Sequence, residues 1–132
     1  MIFIDADAFI GIYKKSDPHH KNAVRISENL QEDGTGVVTS WDVVDEVATK
    51  LSYQVARKIA IQFLDDLGGG NIKVVFVDSK LAKKAQRIFK KQTSKRVSLT
   101  DCTNMAIMRE MKIKTIFSFD IHYEQNGFKF LG

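Results

Sequence analysis

The chain has 132 residues, of which 44% are hydrophobic and 27% charged, and its formal net charge is +4. This composition predicts a single globular domain over residues 1–132, and it excludes collagen-like, low-complexity and disordered classes. No apolar run approaches the roughly 20 residues of a membrane span, so we expect no membrane association, while the positive charge favours a polyanionic partner.

Five short runs of β-branched or aromatic residues predict β-strands. They cover residues 2–5, 36–39, 73–77, 115–119 and 128–131. Most are nearly continuous in apolar character, which is typical of strands covered by helices on both faces. The sequence therefore predicts an α/β fold, a three-layer sandwich whose central sheet is mostly parallel, has four or five strands and is flanked by helices.

Apolar residues at helical spacing predict helices between these strands. The periodic segments lie around residues 23–30 and 44–51, and at 54–67, 79–92 and 99–111. We expect the helices at 44–51 and 54–67 to form a hairpin. The second should end at Gly68-Gly69-Gly70, since glycine tolerates the positive φ that commonly ends helices.

A strongly basic segment occupies the predicted helix at 79–92 and the residues after it. Eight basic residues and no acid occur there: Lys80, Lys83, Lys84, Arg87, Lys90, Lys91, Lys95 and Arg96. This density suits contacts with phosphates. A solvated, lysine-rich helix face is the structural alternative.

Cysteine use and the amino-terminal residues predict the compartment. Cys102 is the only cysteine, which excludes an intramolecular disulfide and a cysteine-based zinc cluster and fits a reducing interior. Residues 1–5 have neither the basic leader nor the long apolar core of a signal peptide. We therefore expect a cytoplasmic protein.

Acidic residues follow the predicted strands. Ligands of open α/β sheets bind beyond the carboxyl ends of the strands, and Asp5 and Asp120 follow the first and fourth of them. Asp7 and Asp101 open predicted helices, where binding of free backbone amides explains them without any chemistry. Ser98 and Asp101 in particular fit a capping box.

Three further acids, Asp42, Asp45 and Glu46, project from the first turns of the central helix, and periodicity does not choose among them. If one of them meets Asp5, Asp101 and Asp120, each pair repels by about 3 kcal/mol at roughly 5 Å, which raises the pKa values unless cations neutralise the cluster. Oxygen ligands without cysteine select Mg²⁺ or Mn²⁺. An acidic metal pocket beside a basic face is expected of an enzyme that cuts a phosphodiester backbone.

The chain resembles the PIN domain, and within it the small VapC-like ribonuclease toxins, over essentially its whole length. The resemblance rests on the order and spacing of five segments. They are IFIDADAFIGIY (residues 2–13), DPHHKNA (17–23), VVTSWDVVDEVATKL (37–51), SLTDCTNMAIM (98–108) and IFSFDIHYEQNGFKFL (116–131).

The resemblance implies a set of metal-binding, catalytic acids: Asp5, Glu46, Asp101 and Asp120. It selects Glu46 from the central helix because this residue precedes Val47, as the family's glutamate precedes an aliphatic residue. It also implies Mg²⁺- or Mn²⁺-dependent hydrolysis of single-stranded RNA, leaving a 5′-phosphate and a 3′-hydroxyl.

Several other positions carry weaker implications. Ser118, His122 and Tyr123 match residues that support the site rather than react. Asp7 departs from many relatives, which have a small hydroxyl residue or asparagine there. Asn104 occupies a position where some relatives carry another polar or acidic group.

The resemblance further implies partners. We expect a homodimer, and a toxin of a type II toxin–antitoxin pair held inactive by a small antitoxin on the hairpin of the two central helices. Two alternatives remain. One is a haloacid-dehalogenase-like phosphatase, because in that family a nucleophilic aspartate and an acidic aspartate follow a strand with the spacing of Asp5 and Asp7. The other is a non-catalytic PIN-like RNA-binding module.

Overall fold

The computed structural model describes all 132 residues and contains five strands and seven helices. The strands are β1 (Ile2–Ile4), β2 (Val37–Ser40), β3 (Ile72–Val75), β4 (Thr115–Phe117) and β5 (Lys129–Leu131). They form one sheet in the order β3-β2-β1-β4-β5, and every pair of neighbours is parallel. The predicted parallel α/β sandwich is confirmed.

The helices are α1 (Ala6–Tyr13), α2 (His20–Glu32), α3 (Trp41–Gln54), α4 (Arg57–Gly69), α5 (Ser79–Lys90), α6 (Leu99–Glu110) and α7 (His122–Gln125). Helices α3 and α4 pack together, as do α5 and α6. The predicted hairpin of central helices is therefore confirmed. None of the helices is both long enough and apolar enough to cross a membrane.

The predicted end of α4 is wrong in its mechanism. The helix includes Gly68 and Gly69, and Gly70 after it has a φ of −105°. The glycines therefore end the helix in extended backbone rather than through a left-handed residue. Glycine is a poor helix former in any case, so a run of three weakens the helix without a special turn.

Polar side chains cap the amino termini of several helices. Ser40 is the last residue of β2, and its Oγ accepts a hydrogen bond from the amide of Val43 at 3.1 Å, which caps α3. The predicted capping box is also present, since the Ser98 and Asp101 side chains each accept from the other's backbone amide at 3.0 Å. These caps satisfy free amides at the helix amino termini.

The two central strands, β1 and β4, end side by side, and an acidic residue follows each of them. β1 and β4 are neighbours, and the amide of Asp5 donates to the carbonyl of Phe117 at 3.1 Å. The Thr39 hydroxyl donates to the Ile4 carbonyl at 2.9 Å and ties β2 to the same edge. A core of 30 buried hydrophobic residues holds the sheet against its helices.

Candidate active site

An open cavity of about 440 Å³ lies at the carboxyl ends of β1 and β4. Six carboxylates line it, from Asp5, Asp7, Asp17, Glu46, Asp101 and Asp120. The only lysine or arginine in its wall is Lys50, which forms an ion pair with Glu46 at 3.0 Å. All four acids singled out from the sequence thus share one cavity, whereas Asp42 and Asp45 lie outside it.

Asp5 is buried at the centre of this wall, and hydrogen bonds fix both of its carboxylate oxygens. Its Oδ1 caps α1 by accepting from the amide of Ala6 at 2.8 Å, and it also accepts from Nδ2 of Asn104 at 3.0 Å. Its Oδ2 accepts from the hydroxyl of Tyr123 at 2.9 Å and lies 3.4 Å from Oγ of Ser118. The carboxylate therefore has one defined orientation.

Asp7 does not cap α1, contrary to the sequence-based interpretation. Asp5 occupies the cap, and Oδ2 of Asp7 instead accepts from the amide of Phe119 at 2.9 Å, with Oγ of Ser118 at 3.3 Å. Asp7 therefore ties α1 to the segment that follows β4. Its other oxygen, Oδ1, is buried without any hydrogen-bond partner. Such orphaned oxygens are uncommon in folded proteins, and a bound cation would satisfy this one.

Tyr123 connects two carboxylates through a single proton. Its buried hydroxyl lies 2.9 Å from Oδ2 of Asp5 and 3.2 Å from Oδ1 of Asp101, and it accepts from Nδ2 of Asn104 at 3.0 Å. A phenol has one hydrogen to donate. Tyr123 therefore stabilises Asp5 or Asp101 at any moment, but not both.

Glu46 and Asp120 form the more open part of the wall. Their side chains are 39% and 30% exposed, respectively. Oδ1 of Asp120 accepts from the amide of His122 at 2.9 Å, and the amide of Asp120 donates to Oγ of Ser118 at 3.1 Å. The cavity therefore combines a buried, rigid side with a side that is open to water and ligands.

Burial and mutual repulsion perturb the acids. Burial, followed by the charges of Asp7 and Asp101, raises the pKa of Asp5 to about 7. Burial, with repulsion from Asp120, also raises the pKa of Asp7 and of Asp101. Burial and the neighbouring carboxylates hold the pKa of Tyr123 well above its usual range, so it remains a donor. The cluster therefore retains protons near neutral pH unless a cation compensates the charge.

The donor set fits a hard divalent cation. It offers carboxylate oxygens and no cysteine, and it includes Oδ1 of Asp7, which has no hydrogen-bond partner. Lys50 is the one lysine in the wall, so a single positive charge faces six acidic side chains. No three His, Cys, Asp or Glu side chains are grouped closely enough to hold a metal as they are oriented. The acids therefore share a cavity without forming a ready-made cage.

The Tyr123→Phe variant tests the buried hydrogen bonds. It removes the hydroxyl that donates to Asp5 or Asp101 and that accepts from Asn104, so buried polar groups lose a partner and we expect a loss of about 1–3 kcal/mol in the free energy of unfolding. Urea denaturation measures this loss. Tyr13→Phe is the matched control, because Tyr13 donates to Asp66 at the surface, and there the loss should stay below about 1 kcal/mol. Equal losses in both variants would contradict the assigned network.

Sequence reasoning gave Asp7 the wrong role and gave Asn104 no definite one. Asn104 follows Asp101 by one helical turn on α6, so the two share a face, and this spacing was a usable signal. Nothing in the spacing indicates that Asp7 bonds to Phe119, because that contact joins residues 112 positions apart.

Comparisons with known proteins agree with this fold. The family model described as the PIN domain matches residues 2–129. No curated protein matches the sequence. Among solved structures, the chain is similar to the crystal structure of Mycobacterium tuberculosis VapC20, described as a sarcin-ricin loop cleaving toxin, with a TM-score of 0.86 and 23% identity over 97% of this chain and 96% of that one.

The family match covers nearly the whole chain, and the likeness to VapC20 supports the same fold. The alternative interpretation as a haloacid-dehalogenase-like phosphatase is therefore wrong. Asp5 and Asp7 follow β1 in this chain, and an acid pair after a strand is too short a motif to identify a family by itself. The chain belongs to the PIN domain family.

Proposed function

We propose that the protein is a Mg²⁺- or Mn²⁺-dependent endoribonuclease that hydrolyses phosphodiester bonds of single-stranded RNA, and that it is the toxin of a type II toxin–antitoxin pair. The observation that carries the proposal is the gathering of acids in one cavity at the carboxyl edge of a PIN-domain sheet. Likeness to a toxin described as cleaving the sarcin-ricin loop supports the choice of RNA.

In this proposal, Asp5, Asp101 and Asp120 would hold the metal, and Glu46 would complete the site. A bound divalent cation lowers the pKa of a water molecule and stabilises charge that develops on the phosphate. Asn104 and Tyr123 hold Asp5 in place. Glu46 stands at the open side, where its carboxylate can orient the attacking water by accepting a hydrogen bond from it.

Basic surfaces outside the acidic cavity would position the RNA backbone without reading its sequence. Lys95 and Arg96 are exposed, and one residue separates them from Ser98, which lines the acidic cavity together with Thr100. A second cavity of about 340 Å³ lies between α5 and α6. Its basic lining residues are Lys84, Arg87, Lys91 and Arg109.

A protein partner is proposed for the α3–α4 hairpin. This hairpin leaves the apolar side chains of Tyr53, Val55, Ile61 and Leu64 exposed. Such a group of exposed apolar residues is typical of a protein interface. The small antitoxin would cover it, and the active protein would be a homodimer.

Glu46→Gln provides the test of the site, with Asp45→Asn as its matched control. Both residues are acids on α3, but only Glu46 lines the cavity. Loss of the carboxylate at 46 should lower the cleavage rate by about 100-fold or more, the usual contribution of a group that handles the attacking water. Asp45→Asn should remain within about twofold of the wild type. The readout is the rate of Mg²⁺-dependent cleavage of an unstructured, end-labelled RNA.

The same assay decides between an enzyme and a binding module. A nuclease of the proposed kind gives metal-dependent fragments that carry a 5′-phosphate, and chelation of the metal abolishes them. RNA binding without turnover in Mg²⁺ or Mn²⁺ would instead support a non-catalytic PIN-like module.

A further inference from the structure

One histidine lines the acidic cavity and is held in place by an aromatic ring. His19 forms part of the wall of that cavity, as does Asp17. Its imidazole stacks on the ring of Phe119, with ring centroids 4.1 Å apart and planes inclined by 7°. Phe119 is also the residue whose amide donates to Oδ2 of Asp7. The stack therefore attaches His19 to the acidic site.

The turn between α1 and α2 fixes the backbone that carries His19. The amide of His19 donates to Oδ1 of Asp17 at 2.8 Å, and the amide of His20 donates to the Asp17 carbonyl at 3.0 Å. Nδ1 of His20 donates to the carbonyl of Gly11 at 2.7 Å and ties the turn to α1. Gly11 packs so closely against α2 that a Cβ at this position would lie 3.0 Å from Cβ of Ala23. His19 is therefore held at a defined position relative to α1.

The imidazole of His19 has no polar partner within the protein. Its nitrogens form neither a capping hydrogen bond nor an ion pair, whereas His20 is bonded to α1 and His122 pairs with Asp120. His19 is also exposed to solvent. An imidazole has an N–H to donate in either neutral tautomer. His19 therefore brings a fixed and unused hydrogen-bond donor to the cavity.

The chemistry of the cavity favours a phosphate as the group that this donor binds. Ionised carboxylates only accept hydrogen bonds, and so do the oxygens of a phosphodiester, so the acids need a cation to offset their repulsion of RNA. The wall contains two basic side chains, Lys50 and His19, and Lys50 already pairs with Glu46 at 3.0 Å. His19 is thus the basic side chain of this wall that remains free to meet a phosphate oxygen.

We propose that His19 is a substrate-binding residue whose imidazole N–H donates to a phosphate oxygen of the RNA in the acidic cavity. The proposal rests on the proposed function, because it assumes that RNA enters this cavity. A phosphate oxygen carries negative charge before and during the reaction, so the contact contributes to binding rather than to the rate of the chemical step. Every nucleotide has the same phosphate, so the contact does not select a sequence.

The His19→Phe variant removes the donor and keeps an aromatic ring that can stack on Phe119. Steady-state cleavage of an unstructured, end-labelled RNA by the full-length protein in Mg²⁺ provides the test. We expect KM to rise about tenfold while kcat stays within about twofold of the wild type. A tenfold change corresponds to about 1.4 kcal/mol, close to the contribution of one hydrogen bond to a charged group. Urea denaturation should show little change in stability, because the stack is retained.

Two further variants serve as controls. His19→Gln keeps an N–H donor on a side chain of different shape, so its KM should return to within about threefold of the wild type. Lys21→Gln removes a positive charge from the exposed surface of α2, outside the acidic cavity, and should leave KM unchanged. The effect of His19→Phe should be the same for oligomers of A, of C and of U, because they share the phosphate.

The outcomes separate this proposal from the proposed function. Metal-dependent cleavage with an unchanged KM in His19→Phe, or an equal rise in KM for Lys21→Gln, would overturn the contact of His19 and leave the nuclease intact. A fall in kcat at constant KM, or a rise in KM confined to one base, would also overturn it, because His19 would then act on the transition state or bind a base. Absence of Mg²⁺-dependent cleavage by the wild type would overturn both proposals.

Discussion

We expect the Asp5→Asn variant to cleave RNA at least about a thousandfold more slowly than the wild type in Mg²⁺, while it keeps the native fold. The substitution removes a ligand charge at the centre of the cavity, and a thousandfold loss corresponds to about 4 kcal/mol of lost stabilisation of the transition state. Asparagine has nearly the same size as aspartate, and its carbonyl can still accept from the amide of Ala6 and from Asn104. The fold should therefore survive.

Cleavage of labelled RNA at saturating Mg²⁺ measures the loss, and circular dichroism and thermal unfolding verify the fold. Asp65→Asn is the matched control, because Asp65 is an exposed carboxylate on α4 outside the acidic cavity. That variant should cleave RNA at the wild-type rate. Full metal-dependent activity of the Asp5 variant would refute the proposed site.

Without divalent cations, the protein is expected to lose stability as the pH rises from about 4 to 7. The pKa of Asp5 is about 7 in the folded state, whereas the ordinary pKa of an aspartate side chain is 3.8, so the unfolded chain releases this proton first as the pH rises. The favourable contribution of the neutral carboxyl is complete below pH 4 and is lost on passing through pH 7. Over this window the difference amounts to about 4 kcal/mol.

Thermal unfolding between pH 4 and pH 8, with and without Mg²⁺, checks this linkage. Because the cation binds the ionised carboxylates of the folded state, it should raise the midpoint of unfolding more at pH 8 than at pH 5. Asp5→Asn removes the titrating group, so its stability should decline less with pH than that of the wild type. Parallel pH profiles for the two proteins would contradict the raised pKa of Asp5.

The sequence predicted the fold well because the strands are buried on both faces and therefore read as continuous apolar runs. The observed strand ends differ from the predicted ones by at most two residues. The two acids after strands, Asp5 and Asp120, followed from the same logic, since parallel strands bring their carboxyl ends to one edge of the sheet.

The choice among the acids of α3 could not follow from periodicity. Asp42, Asp45 and Glu46 all avoid the stripe of Val43, Val44 and Val47 that faces the core, so each is a plausible surface residue. Glu46 differs from the other two because it lies on the flank of α3 that faces the cavity. Which flank faces the cavity depends on how α3 packs across the sheet. Only the family resemblance indicated Glu46 beforehand.

The hydrogen-bond network of Asp5 depends even more on tertiary structure. Asn104 and Tyr123 meet Asp5 across about a hundred residues of chain. Local patterns identify caps and turns, because their partners lie a few positions apart. They do not indicate which buried amide or phenol will face a particular carboxylate.

The direct passage from β2 into α3 leaves this protein little tolerance for changes in chain length at that point. Ser40 both ends the strand and caps the helix, so no spare residue exists to absorb an insertion or a deletion. One residue added at the start of α3 would rotate everything after it by about 100°, presenting Asp45 to the cavity where Glu46 now stands. Natural variation at this junction should therefore consist of substitutions, while insertions and deletions accumulate at the far ends of the helices.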